Sequence, residues 1–308
     1  MASVMKPAAL QYVYDYAKLD RMPDGPTSAT VTPRRYLSGE TLETAKSSTI
    51  GAGLFGKHII LALVGQARGS GAKAHNHPNE QFNYILQGTM LADIEGNRIF
   101  AGAGTLQHTP TLAVHTGVAC PDEDLVFLAM KDTRHGVTGP PVDGKHDGPL
   151  YLPGFGKRAG EKLLSTAETI AQAAQTLPAP SKTYIYDVGR LESPPSGTLS
   201  AAVHARGTME FMSGGSAAFV SGEVLHVGLI HLPRGAKGRR HTHGSEQFNF
   251  VLKGCLEVEL DGSVYRVPER NAIHIPAGSP HRVIGSDVGD ASYIVVKNKS
   301  YGIQQVLV

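Results

Sequence analysis

One gapless repeat constrains this chain more than any other feature. Residues 75–115, HNHPNEQFNYILQGTMLADIEGNRIFAGAGTLQHTPTLAVH, align with residues 241–281, HTHGSEQFNFVLKGCLEVELDGSVYRVPERNAIHIPAGSPH, at an offset of 166. His75, His77, Glu80, Gln81, Phe82 and Asn83 recur as His241, His243, Glu246, Gln247, Phe248 and Asn249. Leu86, Gly88, Gly96, His108, Pro110 and His115 recur as Leu252, Gly254, Gly262, His274, Pro276 and His281. Upstream, Arg68-Gly69 falls on Arg234-Gly235. Such a chain is two copies of one folding unit, and 308 residues suit two domains of ordinary size.

The unit reads as β structure. Gln-Phe-Asn-Tyr-Ile-Leu and Gln-Phe-Asn-Phe-Val-Leu are aromatic and β-branched runs closed by glycine. MLADIEGNRIF and LEVELDGSVYRV each read as strand, acidic-Gly turn, strand. Strands of this length and spacing predict an all-β sandwich or barrel in each half. We expect an N-terminal arm over 1–50, a first domain over 51–133, a connection over 134–182 and a second domain over 183–308. The arm shows little periodicity and is expected to pack across the neighbouring domain or a partner chain. Within the connection, Leu163, Leu164, Ala167, Ile170, Ala171, Ala174 and Leu177 fall at helical spacing before Pro178 and Pro180. That predicts a helix over 160–177 with one apolar face. The Gly- and Pro-rich stretch 134–156 predicts an ordered surface connection.

Charge narrows the partners. With 29 basic and 27 acidic residues and no basic stripe, the chain offers no footprint for nucleic acid. The N-terminus lacks a basic-then-apolar secretory pattern, and no apolar run reaches membrane-spanning length. A cytoplasmic location with no membrane partner is therefore expected. Cys120 and Cys255 sit in no ligand spacing and read as small apolar residues in or near strands.

The repeated histidines carry the chemistry. On a strand, positions i and i+2 share a face, so His75 and His77 project into one space. Gln81 continues the alternation and His115 arrives from a distant strand; His241, His243, Gln247 and His281 repeat the set. Three imidazoles and an amide oxygen suit a divalent transition metal, one per domain. Asn83 and Asn249, two residues after the glutamines and on their face, are expected to bond a ligand or position substrate. His108 and His274 are expected at the surface or behind the ligands, since the His/Gln set is complete without them. Arg239 and Arg240 either flank the site mouth or lie in solvent, and His135 reads as a surface loop residue.

These residues resemble the cupins. The family's first motif, G-x5-HxH-x3,4-E-x6-G, is matched by HNHPNEQFNYILQG and HTHGSEQFNFVLKG, and its second, ending PxGxxH, by PTLAVH (110–115) and PAGSPH (276–281). Counting back from Gly88 and Gly254 puts the family's fourth ligand on Gln81 and Gln247. Glu80 and Glu246 are one residue off that register and should point the other way. The first copy has Leu112 where the family has glycine; with its motif intact, the second repeat is the one expected to be filled if only one is.

The resemblance implies two tandem jelly-roll-type cupin barrels with a short helix between them. It also implies metal sites that face a pocket for one small-molecule substrate. With Gln for Glu, a bound M²⁺ site keeps charge +2, which favours anionic chelating substrates. The expected function is a dioxygenase acting on a small chelating acid, phenol or diketone, with Fe first among the metals and Mn, Zn, Ni or Cu as alternatives. A Lewis-acid lyase, isomerase or decarboxylase is the second expectation, and a non-catalytic metal- or ligand-binding protein the third. Open strand edges and the arm predict a homodimer.

Overall fold

Ile59–Gln66 and Leu225–Leu232, the apolar runs before each HxH, form strands of eight residues buried along most of their length. Such segments become inner strands because neither face has room for solvent. The computed structural model describes residues 11–21, 31–37, 47–176, 181–190, 195, 197–208 and 214–308. Each half closes two antiparallel sheets over one interior, the jelly-roll-type solution to exposed strand edges.

In the first half the larger sheet runs Ile185–Tyr186, Leu106–Thr109, Gln81–Gln87, Leu125–Asp132, Ile59–Gln66, Ile50–Phe55, Thr32–Leu37. The smaller runs Leu150–Tyr151, Ser70–His75, His115–Ala119, Thr89–Ile94, Asn97–Gly102. The second half repeats the larger order as Val13–Asp15, Asn271–Ile275, Gln247–Lys253, Ala291–Asn298, Leu225–Leu232, Ser216–Ser221, Ala202–Thr208. Its smaller sheet runs Ser263–Pro268, Cys255–Leu260, His281–Gly285, His241–Thr242, Val306–Leu307.

The first strand of each larger sheet comes from the other half of the chain. Val13 pairs with Ile273 and Ile185 pairs with Gln107, a position 166 residues earlier. His274 N donates to Tyr12 O, and His108 N to Tyr184 O, both at 2.9 Å. Val13–Asp15 of the arm therefore docks on the C-terminal barrel while Thr32–Leu37 of the arm joins the N-terminal one, and Ile185–Tyr186, expected in the C-terminal domain, also completes the N-terminal one. The arm is itself repeated: Tyr12-Val13-Tyr14-Asp15 matches Tyr184-Ile185-Tyr186-Asp187. Both second tyrosines donate to a carbonyl three residues back, Gln11 O at 2.9 Å and Thr183 O at 3.0 Å. This offset is 172 (185 − 13), so a comparison held at 166 passes over it.

The two larger sheets pack on each other. Side chains alternate across them: Gln81, Asn83 and Ile85 face the barrel interior, while Glu80, Phe82 and Tyr84 face the opposing sheet. Phe82, Leu128 and Met130 thus share one buried cluster with Phe248, Ile294 and Val296. The barrel interiors form two further clusters.

The helix departs from expectation. It spans Thr166–Thr176, starting six residues later than the pattern predicts; Leu177 lies outside the described residues. Ser165 sets the start: Glu168 N donates to Ser165 Oγ at 3.1 Å and Ser165 N to Glu168 Oε2 at 2.8 Å, a reciprocal cap. The expected apolar face is not the packed one, since Leu163 and Ile170 are exposed while Thr169 and Ala173 are buried. Among the described residues no helix is long and apolar enough to cross a membrane.

Candidate metal centres

Each HxH pair leaves its strand on one face, and the distant histidine is brought beside it by strand pairing. His115 pairs with His75, and His281 with His241. The result is two His₃ groups, His75/His77/His115 and His241/His243/His281, each with its ligand atoms within 4.8 Å of one another.

The turns before the third histidine are built alike although one lacks glycine. Leu112 adopts φ +60° and Gly278 φ +78°. Leu112 N donates to His77 O at 3.0 Å, and Gly278 N to His243 O at 2.9 Å. The left-handed conformation costs a side-chain-bearing residue about 1–2 kcal/mol. Leu112 is exposed, so it regains little by packing. Leu112→Gly should raise stability by about 0.5 kcal/mol in denaturant titration, since glycine's freer unfolded chain offsets part of the relief. A loss above about 1 kcal/mol would show that the leucine packs after all.

The imidazoles fit a metal. All six Nδ1 atoms lie 2.7–2.9 Å from a backbone carbonyl two residues away: Lys73, Asn79 and Ala113 in one barrel, Arg239, Ser245 and Ser279 in the other. A carbonyl only accepts, so each Nδ1 carries the proton and each Nε2 offers a lone pair. Burial pushes His77 and His281 down to about 3, His243 to about 4, and His115 well below the usual range. In the C-terminal barrel neutral lone pairs then converge with no proton between them. His281 Nε2 is buried without a partner, and His243 Nε2 lies 3.0 Å from Gln247 Oε1, acceptor against acceptor. A cation between these atoms removes the conflict.

The glutamines are held from behind. Gln81 Nε2 donates to Asn83 Oδ1, and Gln247 Nε2 to Asn249 Oδ1, both at 2.8 Å, which turns each amide oxygen towards the histidines. Asn83 Nδ2 donates to Gln107 Oε1, and Gln107 Nε2 to Thr109 Oγ1, both at 2.7 Å. At the matching positions stand Ile273 and Ile275, so Asn249 Nδ2 has no partner. The structure thus puts both asparagines next to a glutamine, and Asn249 is fully enclosed.

Sequence reasoning missed Lys131 and Lys297, again 166 apart. Both are buried, and burial pushes their ammonium groups down to about 7. Lys131 Nζ lies 3.1 Å from His77 Nε2 and also donates to Val137 O. Lys297 Nζ makes no hydrogen bond among the described residues and lines the C-terminal cavity. A lysine inside the apolar runs VFLAMKD and YIVVKN, at one place in both copies, was the available signal.

The cavities differ sharply. The N-terminal one holds about 80 Å³, with Gln66, Gln107 and Met90 on its walls. The C-terminal one holds about 560 Å³, walled by Phe219, Ile230, Val283 and Val295 and lined also by Ile303–Gln305. Arg239 and Arg240 are exposed and line neither cavity, and His135 is exposed on its loop.

His108 and His274 lie neither at the surface nor behind the ligands. They are buried in the seam between the sheets, each with Nε2 2.9 Å from the motif glutamate, Glu80 or Glu246. As parity predicts, both glutamates point away from the metal centres. Glu80 accepts the amides of Glu223, Val224 and Leu225 at 2.7–2.9 Å. Glu246 accepts those of Lys57, His58 and Ile59 at 2.8–3.1 Å. Gly56 and Gly222 allow the approach, since a Cβ there would meet the carboxylate at 2.6 and 1.9 Å. Burial opposes ionisation, but the histidine and amide hydrogen bonds outweigh it and hold both carboxyls below the ordinary range.

These shifts set a pH dependence. Histidines depressed from 6.5 and carboxyls depressed from 4.5 bind protons more readily unfolded than folded. Their stabilisation is present above those values and is lost as pH falls towards the folded ones. The melting temperature of metal-free protein should therefore decline steadily from about pH 6.5 to pH 4. A flat profile there would contradict the neutral, desolvated clusters.

The cupin-domain model matches residues 62–131 and 228–297, once in each barrel and across both metal centres. The chain is a bicupin. Among solved structures, this bicupin is similar to a variant of Bacillus subtilis oxalate decarboxylase at TM-score 0.63 and 12% identity, covering 100% of this chain and 82% of that one. Another structure of that enzyme, described by its Mn(II) centres, is similar at TM-score 0.63 and 11% identity, with the same coverage. AerE from Microcystis aeruginosa is similar at TM-score 0.58 and 12% identity, covering 87% of the bicupin and 98% of AerE. At these identities the likeness is one of fold. No curated protein sequence matches.

Proposed function

We propose that this bicupin is a divalent-metal oxygenase that works in its C-terminal barrel on a small chelating acid, phenol or diketone. The supporting observation is a neutral His₃ group opening onto a large apolar cavity. His241, His243 and His281 would hold the metal with Gln247 Oε1 as fourth donor, and Fe(II) is the ion we expect. When bound, the metal supplies Lewis acidity and, as iron, a site for O₂.

The chain's own residues do the rest. Four neutral donors leave the ion's charge uncompensated, so the site favours a substrate that carries negative oxygen. Asn249 is a positioning residue that keeps the Gln247 oxygen turned inward. The apolar walls give water few polar partners beside the reacting face. His75, His77, His115 and Gln81 form a second metal position of lesser role, because Lys131 donates into the lone pair of His77 and little free volume remains.

Metal-dependent decarboxylation is the second reading. The fold shared with oxalate decarboxylase favours it, and the same uncompensated charge serves Lewis-acid chemistry. Iron- and manganese-reconstituted protein should be offered salicylate, acetylacetone and oxalate while O₂ and CO₂ are followed. One O₂ consumed per product in the iron form supports the oxygenase. CO₂ release under argon transfers the assignment to the decarboxylase, and failure to take up any metal overturns both.

A further inference from the structure

Three polar groups without a hydrogen-bond partner among the described residues line the wall of the C-terminal cavity. Lys297, Tyr293 and Gln305 all line it. Lys297 and Tyr293 are 7% and 2% exposed, and Gln305 Oε1 is buried without a partner. Among the described residues no hydrogen bond reaches Lys297 Nζ or the Tyr293 hydroxyl.

Register places two of them in order along one strand. Lys297 pairs with Gln247, next to the histidines, and Tyr293 pairs with Val251, two inward-facing positions further on. Val295 lies between them on the same face. A buried ammonium without a counter-charge is costly, and a ligand anion is the simplest group to offset it. The N-terminal barrel has no such arrangement: Phe127 replaces Tyr293, Gly53 replaces Phe219, and Lys131 is already bonded.

We infer that the C-terminal barrel takes a small aromatic acid, with its anionic edge between the histidines and Lys297 and its ring among Phe219, Ile230, Val283 and Val295. This rests on the C-terminal barrel being the reaction chamber and adds the substrate class. Tyr293 and Gln305 offer a donor and an acceptor for a further oxygen on the ring. A cavity of about 560 Å³ with apolar walls suits such a molecule. Oxalate, a small dianion without apolar surface, would leave those walls nothing to bury.

Calorimetric titration of the full-length protein, metal-free and manganese-loaded, with benzoate, benzyl alcohol and oxalate tests this. Benzoate should bind more tightly than benzyl alcohol, and Lys297→Met should weaken benzoate at least tenfold while leaving benzyl alcohol unchanged. Tyr293→Phe should weaken benzoate a few-fold, and Lys131→Met should leave it as it is. The inference is overturned if benzoate binds neither form, shows no preference over benzyl alcohol in either, or keeps its Kd in Lys297→Met. Tighter binding of oxalate than benzoate by metal-free protein also overturns it. The wild-type comparison needs no variant to fold. Because one arm uses metal-free protein, failure of the metal assignment and failure of the substrate class give different results.

Discussion

Replacing Glu80 with glutamine should lower the melting temperature by about 10 °C, from a loss of roughly 3–5 kcal/mol. The carboxylate accepts three backbone amides from the other barrel and faces His108 Nε2, all within 2.9 Å. Hydrogen bonds to a charged group contribute about 1.5–3 kcal/mol each, and buried donors left unmatched cost a similar amount. Glutamine keeps one accepting oxygen and turns an amino group towards a nest of donors. Glu246→Gln should do the same, since it accepts Lys57, His58 and Ile59 in mirror fashion. The two sites share no partner, so the losses should add in the double variant. A drop worth less than about 1 kcal/mol in either single variant would show that the seam draws its strength from the Phe82–Phe248 cluster instead.

His241→Ala should reduce turnover by roughly three orders of magnitude, and His75→Ala should leave it within about threefold. Both remove one imidazole from a three-membered group, so the structural change is matched. Only His241 opens onto the larger cavity, and only there is the lysine free to meet a ligand. Elemental analysis of the same proteins checks the cause. His241→Ala should lose metal from the C-terminal barrel, while His75→Ala should change the count by at most one ion per chain. Equal losses of turnover from the two variants would overturn the division of labour. Loss of turnover in His75→Ala alone would move the reaction to the N-terminal barrel.

Much of this molecule is legible from spacing alone. The gapless offset of 166 reveals the duplication, and two-residue parity groups the histidines with Gln81 and Gln247 while turning Glu80 and Glu246 away. Parity does not say what lies on the far side of a sheet, so the reach of those glutamates across the seam to the backbone amides of the other barrel, beside His108 and His274 on their own sheet, was hidden. The paired lysines escaped because a lysine in a strand usually reads as a solvent-facing residue; only its place inside an apolar run in both copies marks it as interior. The repeated tyrosine arm escaped because six fewer residues separate it from the barrel in the second copy. Apolar spacing predicts the helix, but Ser165 and Glu168 set its start, and Thr169 and Ala173 rather than Leu163 and Ile170 form its buried side. Leu112 shows the converse: the motif departs from its pattern while the backbone keeps the turn.

The exchange of Val13–Asp15 and Ile185–Tyr186 gives the two halves the relationship of partners that have traded arms. Each carries, at its leading end, the edge strand the other needs. A cut in the connection would therefore yield two fragments that are each incomplete and mutually complementary, able to recover the fold only by reassociating. Expressed singly, either fragment would present the bare edge of its larger sheet, at Leu106–Thr109 or Asn271–Ile275, and with it a template for the wrong neighbour. In this chain the covalent connection keeps the right neighbour at high local concentration from the moment the second half is made.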